Sequence, residues 1–263
     1  PASGAPKSAY MWLEWCVKEI DETIDIYAVH QYGRPTSFTQ DWTSYYNELY
    51  IEPCKKIIKS TGKPLWCDEF NVSENYTPVT ESRENPLHAT QLAYGYMHHM
   101  ISGIQATPIW YLVDIKWPNE IKTSDDGWFE GIHKTGIDSS ILESAIPSNS
   151  YYVYCMLGKT VRKGDKIYKG VQETGSLYSV MLEHSDGTYS FIVINLGWDK
   201  NNVTFELPKS MKDITLEKTV YDPLTFKATT QYRPIEPSGE IKNIKTNFND
   251  SIGSYQVVVY NSK

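Results

Sequence analysis

Two consecutive carboxylic acids, Asp68 and Glu69, end an apolar run in the stretch GKPLWCDEFNVS. A carboxylate that leaves a buried segment has to be paired, protonated or used in chemistry, where it serves as a nucleophile or a general acid or base. Period-2 alternation places Glu69 on the strand face shared with Cys67 and Leu65, and Asp68 on the opposite face. A lone glutamate at a strand end more often anchors a loop or the N-terminus of a helix, and we take Glu69 as a candidate catalytic residue beside that interpretation. We expect Asp68 to serve the wall of a barrel or a neighbouring helix.

Polar and aromatic residues also end two other apolar runs. IDIYAVHQYG closes with His30 and Tyr32, which lie two apart on one face, and ATPIWYLVDI carries Trp110 and Asp114, four apart and on one face. Each residue taken alone is more often a packing residue or a satisfied core histidine. Their occurrence at three strand ends favours one shared site, since the carboxyl ends of parallel strands form a single edge.

The elements that would position these residues alternate between strand and helix over the first ~120 residues, which is typical of βα units. The helix at 85–103 has Asn85 as N-cap, Pro86 at its first position and Gly103 after its end, and Pro53 predicts a kink or break in the helix before the second strand. The predicted helices are 7–21, 42–61, 85–103 and 148–159, and the predicted strands are 24–33, 63–70 and 106–115.

Beyond residue 160 the pattern changes to short strands joined by turn residues, including Asp186-Gly187 as a hairpin signal. We predict an all-β domain here, a small sandwich. The expected domains are residues 1–160 and 161–263.

The motifs VHQY, GKPLWCDEFN and IWYLVDI resemble the sixth, seventh and eighth strands of clan A glycoside hydrolases. The segment FEGIHKTGI and the later SNSYYVYCMLGK resemble the approach to the last barrel helix in family 39, and the C-terminal β-domain also suits that family. The resemblance implies an α/β fold: the C-terminal part of a (β/α)8 TIM barrel, followed by an all-β sandwich domain.

The resemblance also implies a retaining glycosidase that hydrolyses O-glycosyl bonds of an oligosaccharide or polysaccharide. Glu69 matches the clan's nucleophile, Tyr32 the residue that orients it, His30 the histidine of the His-x-Tyr pattern, and Trp110 the aromatic that flanks the sugar. No carboxylic acid matches the clan's acid/base residue at the end of strand four, and the sequence resembles the clan only from after strand five. We therefore expect an N-terminal barrel segment outside this chain to supply the acid/base.

Two alternatives stay open. The first is a non-catalytic carbohydrate-binding protein on a degenerate glycosidase barrel, and the second is a β-domain that acts as an interaction module for a polysaccharide or cell-surface partner. A carboxylic acid at the end of strand four would favour the enzyme over the binding protein. A polysaccharide substrate suggests a secreted, extracellular or periplasmic protein.

Composition excludes several other classes. The net charge of −7 argues against a nucleic-acid groove, and no apolar run reaches the ~18 residues of a membrane span. The four cysteines are widely spaced, so we expect buried free thiols and no zinc site. The pair His98-His99 has no carboxylate at ligand spacing and is interpreted as structural. No metal and no cofactor are expected.

Overall fold

The structure is a computed structural model that describes residues 6–33, 47–72, 86–109, 115–116, 127–128, 133–134, 146–171, 175–208, 211, 213–229 and 232–263. Among these residues the helices all precede residue 161, and an antiparallel sheet follows. The helices are α1 (Pro6–Glu19), α2 (Glu52–Ile58), α3 (Pro86–Ser102) and α4 (Asn149–Thr160).

The helix signals of the sequence are confirmed where the structure describes them. Pro86 opens α3, and Gly103 follows its end with a φ of +75°, a left-handed conformation that glycine adopts without a steric penalty. The helix predicted at 42–61 is described from residue 47, where a π turn (Asn47–Ile51) leads into α2. The change of helix type lies next to Pro53, whose nitrogen has no hydrogen to donate to the helical ladder.

Strands β1 (Tyr27–Gly33) and β2 (Leu65–Val72) are parallel neighbours. The chain after α3 runs along the other side of β2: Gln105 N donates to Leu65 O at 3.1 Å, and a parallel bridge joins Phe70 to Ile109. This is the beginning of the third predicted strand, whose residues 110–114 lie outside the described part. Two-residue strands form the pairs β3 (Ile115–Lys116) with β4 (Gly127–Trp128) and β5 (His133–Lys134) with β6 (Ile146–Pro147).

One face of the β1–β2 pair is buried under the helices. Along β1 the side chains of Tyr27, Val29 and Gln31 are buried, whereas Ala28 and His30 are exposed. The apolar cluster under the buried face includes members of all the helices, among them Leu13, Cys16, Cys54, Leu92, Met97, Val153 and Leu157. The opposite face is left partly open among the described residues.

The C-terminal part is built on a six-stranded antiparallel sheet in the order β12-β11-β14-β9-β8-β7, next to a pair formed by β10 and β13. The strands are β7 (Lys166–Lys169), β8 (Leu177–Glu183), β9 (Tyr189–Asn195), β10 (Asn201–Glu206), β11 (Ile214–Tyr221), β12 (Gly239–Ile244), β13 (Asn247–Ile252) and β14 (Val257–Ser262). The predicted turn at Asp186-Gly187 joins β8 to β9, and Gly187 has a φ of +82°.

The central strands of this sheet are apolar on both faces because both faces are covered. In β9, Phe191 and Val193 belong to the cluster shared with the β10–β13 pair, and the alternate residues Ile192 and Ile194 belong to the cluster shared with the helices. Strand β14 divides its residues in the same way. Unbroken apolar runs are what two covered faces require.

Helices α3 and α4 connect the two parts of the chain. They contact strands of the large sheet, and the connection includes buried polar contacts as well as apolar ones. Thr90 Oγ1 donates to Tyr255 O at 2.8 Å, Tyr221 OH donates to Pro86 O at 2.7 Å, and Tyr152 OH donates to Thr229 O at 2.8 Å. A shared core of this kind fixes the sheet against the helices.

Candidate active site

The candidate site lies near the carboxyl ends of β1 and β2. Parallel register places His30 opposite Glu69 and Tyr32 opposite Asn71. Since both strands run in the same direction, the functional side chains of both reach the same edge of the sheet. Three of the four predicted site residues, Glu69, His30 and Tyr32, are therefore brought together.

A β-bulge changes the face predicted for Asp68 and Glu69. The register shifts between Val29 and His30, so that Val29 pairs with Cys67 but His30 pairs with Glu69, and Asp68 is the extra residue on β2. The predictions that Asp68 points away from the site and that Glu69 shares a face with Cys67 and Leu65 are wrong. A period of two fails across an inserted residue.

Burial along β2 follows the bulge. Leu65, Cys67 and Phe70 are all buried, although 67 and 70 are an odd number of residues apart, and Phe70 packs its ring against Tyr96 of α3 at 5.0 Å between centroids. Asp68 and Glu69 lie between these buried residues and remain partly exposed, with 42% and 24% of their side-chain surface accessible.

Two side chains of β1 contact Glu69 Oε2. Tyr32 OH donates a hydrogen bond to it at 2.6 Å, and His30 Nδ1 lies 3.0 Å away. The other ring nitrogen of His30, Nε2, lies 3.4 Å from Asp68 Oδ1. The imidazole thus stands between two consecutive carboxylates, and a phenol holds one of them.

The remaining predicted residues of the site lie outside the described residues. Trp110 and Asp114 belong to this group, so the aromatic wall predicted for the sugar stays a prediction.

A second layer of polar side chains behind the site was not predicted. Buried Gln31 of β1 contacts His99 Nε2 through its Oε1, and His99 Nδ1 lies 3.0 Å from Thr107 Oγ1. Burial lowers the pKa of His99 to about 3, and the neighbouring His98 adds to this effect, so the ring is neutral. His99 thereby joins α3 to β1 and to the chain beside β2, in agreement with the structural interpretation of the His98-His99 pair.

The thiol closest to the carboxylates is not a nucleophile. Cys67 is fully buried, and burial raises its pKa to about 12, so it stays protonated near neutral pH. Cys16, Cys54 and Cys67 are free and buried as predicted, and Cys155 is free and half-buried. Over the described ranges, no group of three histidine, cysteine or acidic side chains could hold a metal ion. In the same ranges no helix is long and apolar enough to cross a membrane.

No family model matches the sequence, and no curated protein matches it. Solved structures match the fold at low identity. The GH51 α-L-arabinofuranosidase from Thermotoga petrophila RKU-1 is 15% identical with a TM-score of 0.69, and the match covers 97% of this chain and 56% of that one. The GH51 arabinofuranosidase from Xanthomonas axonopodis pv. citri gives 14% identity, a TM-score of 0.65 and the same coverage.

A third similar structure is the family 30 subfamily 8 xylanase Xyn30A from Clostridium acetobutylicum, with 13% identity and a TM-score of 0.58 over 100% of this chain and 62% of that chain. The chain thus spans little more than half the length of these structures. They come from families 51 and 30, so the likeness in fold does not single out family 39. The chain shares its fold with these glycosidase structures.

Proposed function

We propose that the protein is a retaining glycoside hydrolase in which Glu69 is the nucleophile. The observation that carries the proposal is the contact of Tyr32 OH with Glu69 Oε2 at 2.6 Å, near the carboxyl ends of two parallel strands. The substrate class that we propose is the O-glycosidic bond of an oligosaccharide or polysaccharide, and such a substrate leads us to propose an extracellular or periplasmic location. The narrower membership of family 39 is also a proposal.

The geometry supports a division of labour between the two oxygens of Glu69. Oε2 is occupied by Tyr32 and His30, while Oε1 has no partner among the described residues. We assign the attack on the anomeric carbon to Oε1, because an oxygen that is already hydrogen-bonded is less free to form the new bond. In this mechanism Oε1 bonds to the anomeric carbon, the glycosidic oxygen leaves with a proton from a general acid, and water later releases the sugar.

We further propose that the general acid comes from a segment outside these 263 residues. A retaining site needs a second carboxyl group about 5 Å from the first, on the opposite side of the bond to be cleaved. Asp68 is a poor candidate because it lies beside Glu69 on the same strand and faces His30. The solved structures with this fold are longer than the chain, which spans 56–62% of those named above, and this supports a further barrel segment.

The decisive experiment is covalent trapping with 2-deoxy-2-fluoro glycosides that carry a dinitrophenolate leaving group. Such a leaving group departs without help from a general acid, so the test depends on the nucleophile alone. We expect intact mass spectrometry to show one added glycosyl group and peptide mapping to place it on Glu69. A panel of arabinosyl, xylosyl and glucosyl reagents covers the unknown sugar.

Two variants control the trapping. Glu69→Gln keeps the shape and removes the nucleophilic oxygen, and we expect no adduct and at least about a 10³-fold loss of turnover. Glu14→Gln changes an exposed carboxylate on α1 and should label like the parent. An adduct on another residue, or normal turnover by Glu69→Gln, would remove Glu69 from the mechanism. Sugar binding without any adduct would favour the non-catalytic alternative.

A further inference from the structure

We propose that Asp68 is a positioning residue for Glu69 and that it acts through the imidazole of His30. This inference rests on the proposed function and deepens it. It follows from the bulge, which places Asp68 and Glu69 on the same side of the sheet, whereas regular alternation would have put these consecutive residues on opposite faces.

The first step of the argument concerns what holds the ring of His30. Its side chain is 42% exposed, so packing restrains it weakly. Its polar neighbours in the described part of the chain are two carboxylates, Asp68 Oδ1 at 3.4 Å from Nε2 and Glu69 Oε2 at 3.0 Å from Nδ1. Each ring nitrogen therefore faces an acidic oxygen, and we infer that these two contacts set the orientation of the ring.

The second step concerns what the ring does for Glu69. Oε2 is fixed by Tyr32 from one direction and by His30 from another. Two contacts on one oxygen define the rotation of the carboxylate and hence the direction in which Oε1 points. When Asp68 is removed, the ring is free to turn Nδ1 away, and Glu69 keeps only the contact with Tyr32.

The third step concerns charge. Asp68 and Glu69 are adjacent acids on the same side of the sheet, and like charges at short range repel each other. The imidazole of His30 lies between one oxygen of each and so separates the two groups. Asp68 therefore contributes to the site without contact with the substrate.

The test is a double-mutant cycle on the rate of covalent trapping, with Asp68→Asn, His30→Ala and both changes together. We expect each single variant to lower the maximal inactivation rate about tenfold, with the reagent's apparent affinity unchanged, because a misplaced nucleophile reacts slowly. If Asp68 acts through His30, the double variant is no slower than His30→Ala within about twofold. Effects that multiply would overturn the proposal.

A second readout does not depend on activity. With the six histidines labelled with ¹⁵N, and with His30 assigned by its loss in His30→Ala, Asp68→Asn should shift the ring signals of His30 and leave the other described histidines in place. The control Asp25→Asn, an exposed aspartate just before β1, should shift none of them. An unmoved His30 signal in Asp68→Asn would overturn the proposal even if Glu69 is trapped. Absence of trapping with a shifted signal would instead count against the proposed hydrolase alone.

Discussion

Four histidines in the described part of the chain have partners at both ring nitrogens. One of them lies in a solvent-exposed (open) site, and the other three lie in buried (sealed) sites. His30 is 42% exposed on its side chain, whereas His88, His99 and His184 are no more than 3% exposed. The sealed rings join elements: His88 contacts Val72 O and Ser150 Oγ, and His184 contacts Asp165 and Ser190. Two-sided contact by itself therefore does not mark a functional histidine.

The buried histidines differ from His30 in whether a substrate can reach the groups that contact the ring. Around His184 the carboxylate of Asp165 is enclosed, and its second oxygen accepts from Arg162 N at 2.7 Å. Ser190 donates onward to Asn261 Oδ1 at 2.7 Å. A serine, a histidine and an aspartate thus stand in sequence, yet no substrate could touch them. At His30 the carboxylates remain accessible, and one oxygen of Glu69 has no partner among the described residues.

The sealed site at His184 should give the largest effect on stability. We expect Asp165→Asn to lower the free energy of unfolding by about 3 kcal/mol, because the charge that faces a buried imidazole is lost. Urea denaturation followed by tryptophan fluorescence measures the change. Trapping of Glu69 per folded molecule should stay the same, since the network lies in the C-terminal sheet and, among the described residues, has no contact with Glu69.

Asp199→Asn is the matched control, because Asp199 is exposed in the turn after β9 and should change the free energy of unfolding by less than about 0.5 kcal/mol. Equal stabilities for the two variants would show that the buried network contributes nothing, and the contrast with the open site would then rest on accessibility alone.

The next largest effect is expected in the pH dependence of the free energy of unfolding, to which the buried, neutral histidines contribute. Burial lowers the pKa of His88 to about 4 and that of His99 to about 3, below the ordinary value of about 6.5 that each has in the unfolded chain. Between pH 6.5 and 4 the unfolded chain binds protons that the folded chain does not. The free energy of unfolding therefore falls as the pH falls, by up to about 1.4 kcal/mol per pH unit for each histidine.

His88→Gln isolates one of these contributions. Denaturation at pH 7.0, 6.0 and 5.0 should show that the variant loses less stability than the parent over this interval, by about 2 kcal/mol at pH 5.0. The variant is less stable at pH 7.0, so the slope with pH is the quantity to compare. Parallel slopes would mean that burial does not lower the pKa of His88 in the folded protein.

Helices and turns were predicted well where the residues that determine them lie within the same segment of the sequence. Pro86 and Gly103 bounded α3 to within one residue, and the turn at Asp186-Gly187 joined two strands as expected. The sequence does not predict strands β12 and β13, because GEIKNI and NFNDSI are largely polar and show no apolar alternation. Their pairing partners lie elsewhere in the sequence, which a local pattern does not contain.

The site was predicted in part for the same reason. The meeting of Glu69, His30 and Tyr32 followed from strand ends and parallel register, both of which can be inferred from order along the chain. That Asp68 and Glu69 lie on the same face depended on a bulge, which arises only when β2 pairs with β1. Gln31 also gave no signal, because a buried glutamine in a strand becomes meaningful only when its partner on α3 is known.

The smallest loss of stability is expected at a buried hydrogen bond between two uncharged groups. Thr90 of α3 is buried and donates to Tyr255 O across the junction between helices and sheet. Thr90→Val keeps the shape and leaves that carbonyl without its donor, so we expect a loss of about 1 kcal/mol in the free energy of unfolding. The exposed Thr204 of β10, changed to valine, is the control and should stay within about 0.5 kcal/mol of the parent. If Thr90→Val lowers the free energy of unfolding as much as Asp165→Asn does, burial and not charge determines what the sealed contacts contribute to stability. His30 would then differ from the sealed histidines in exposure only.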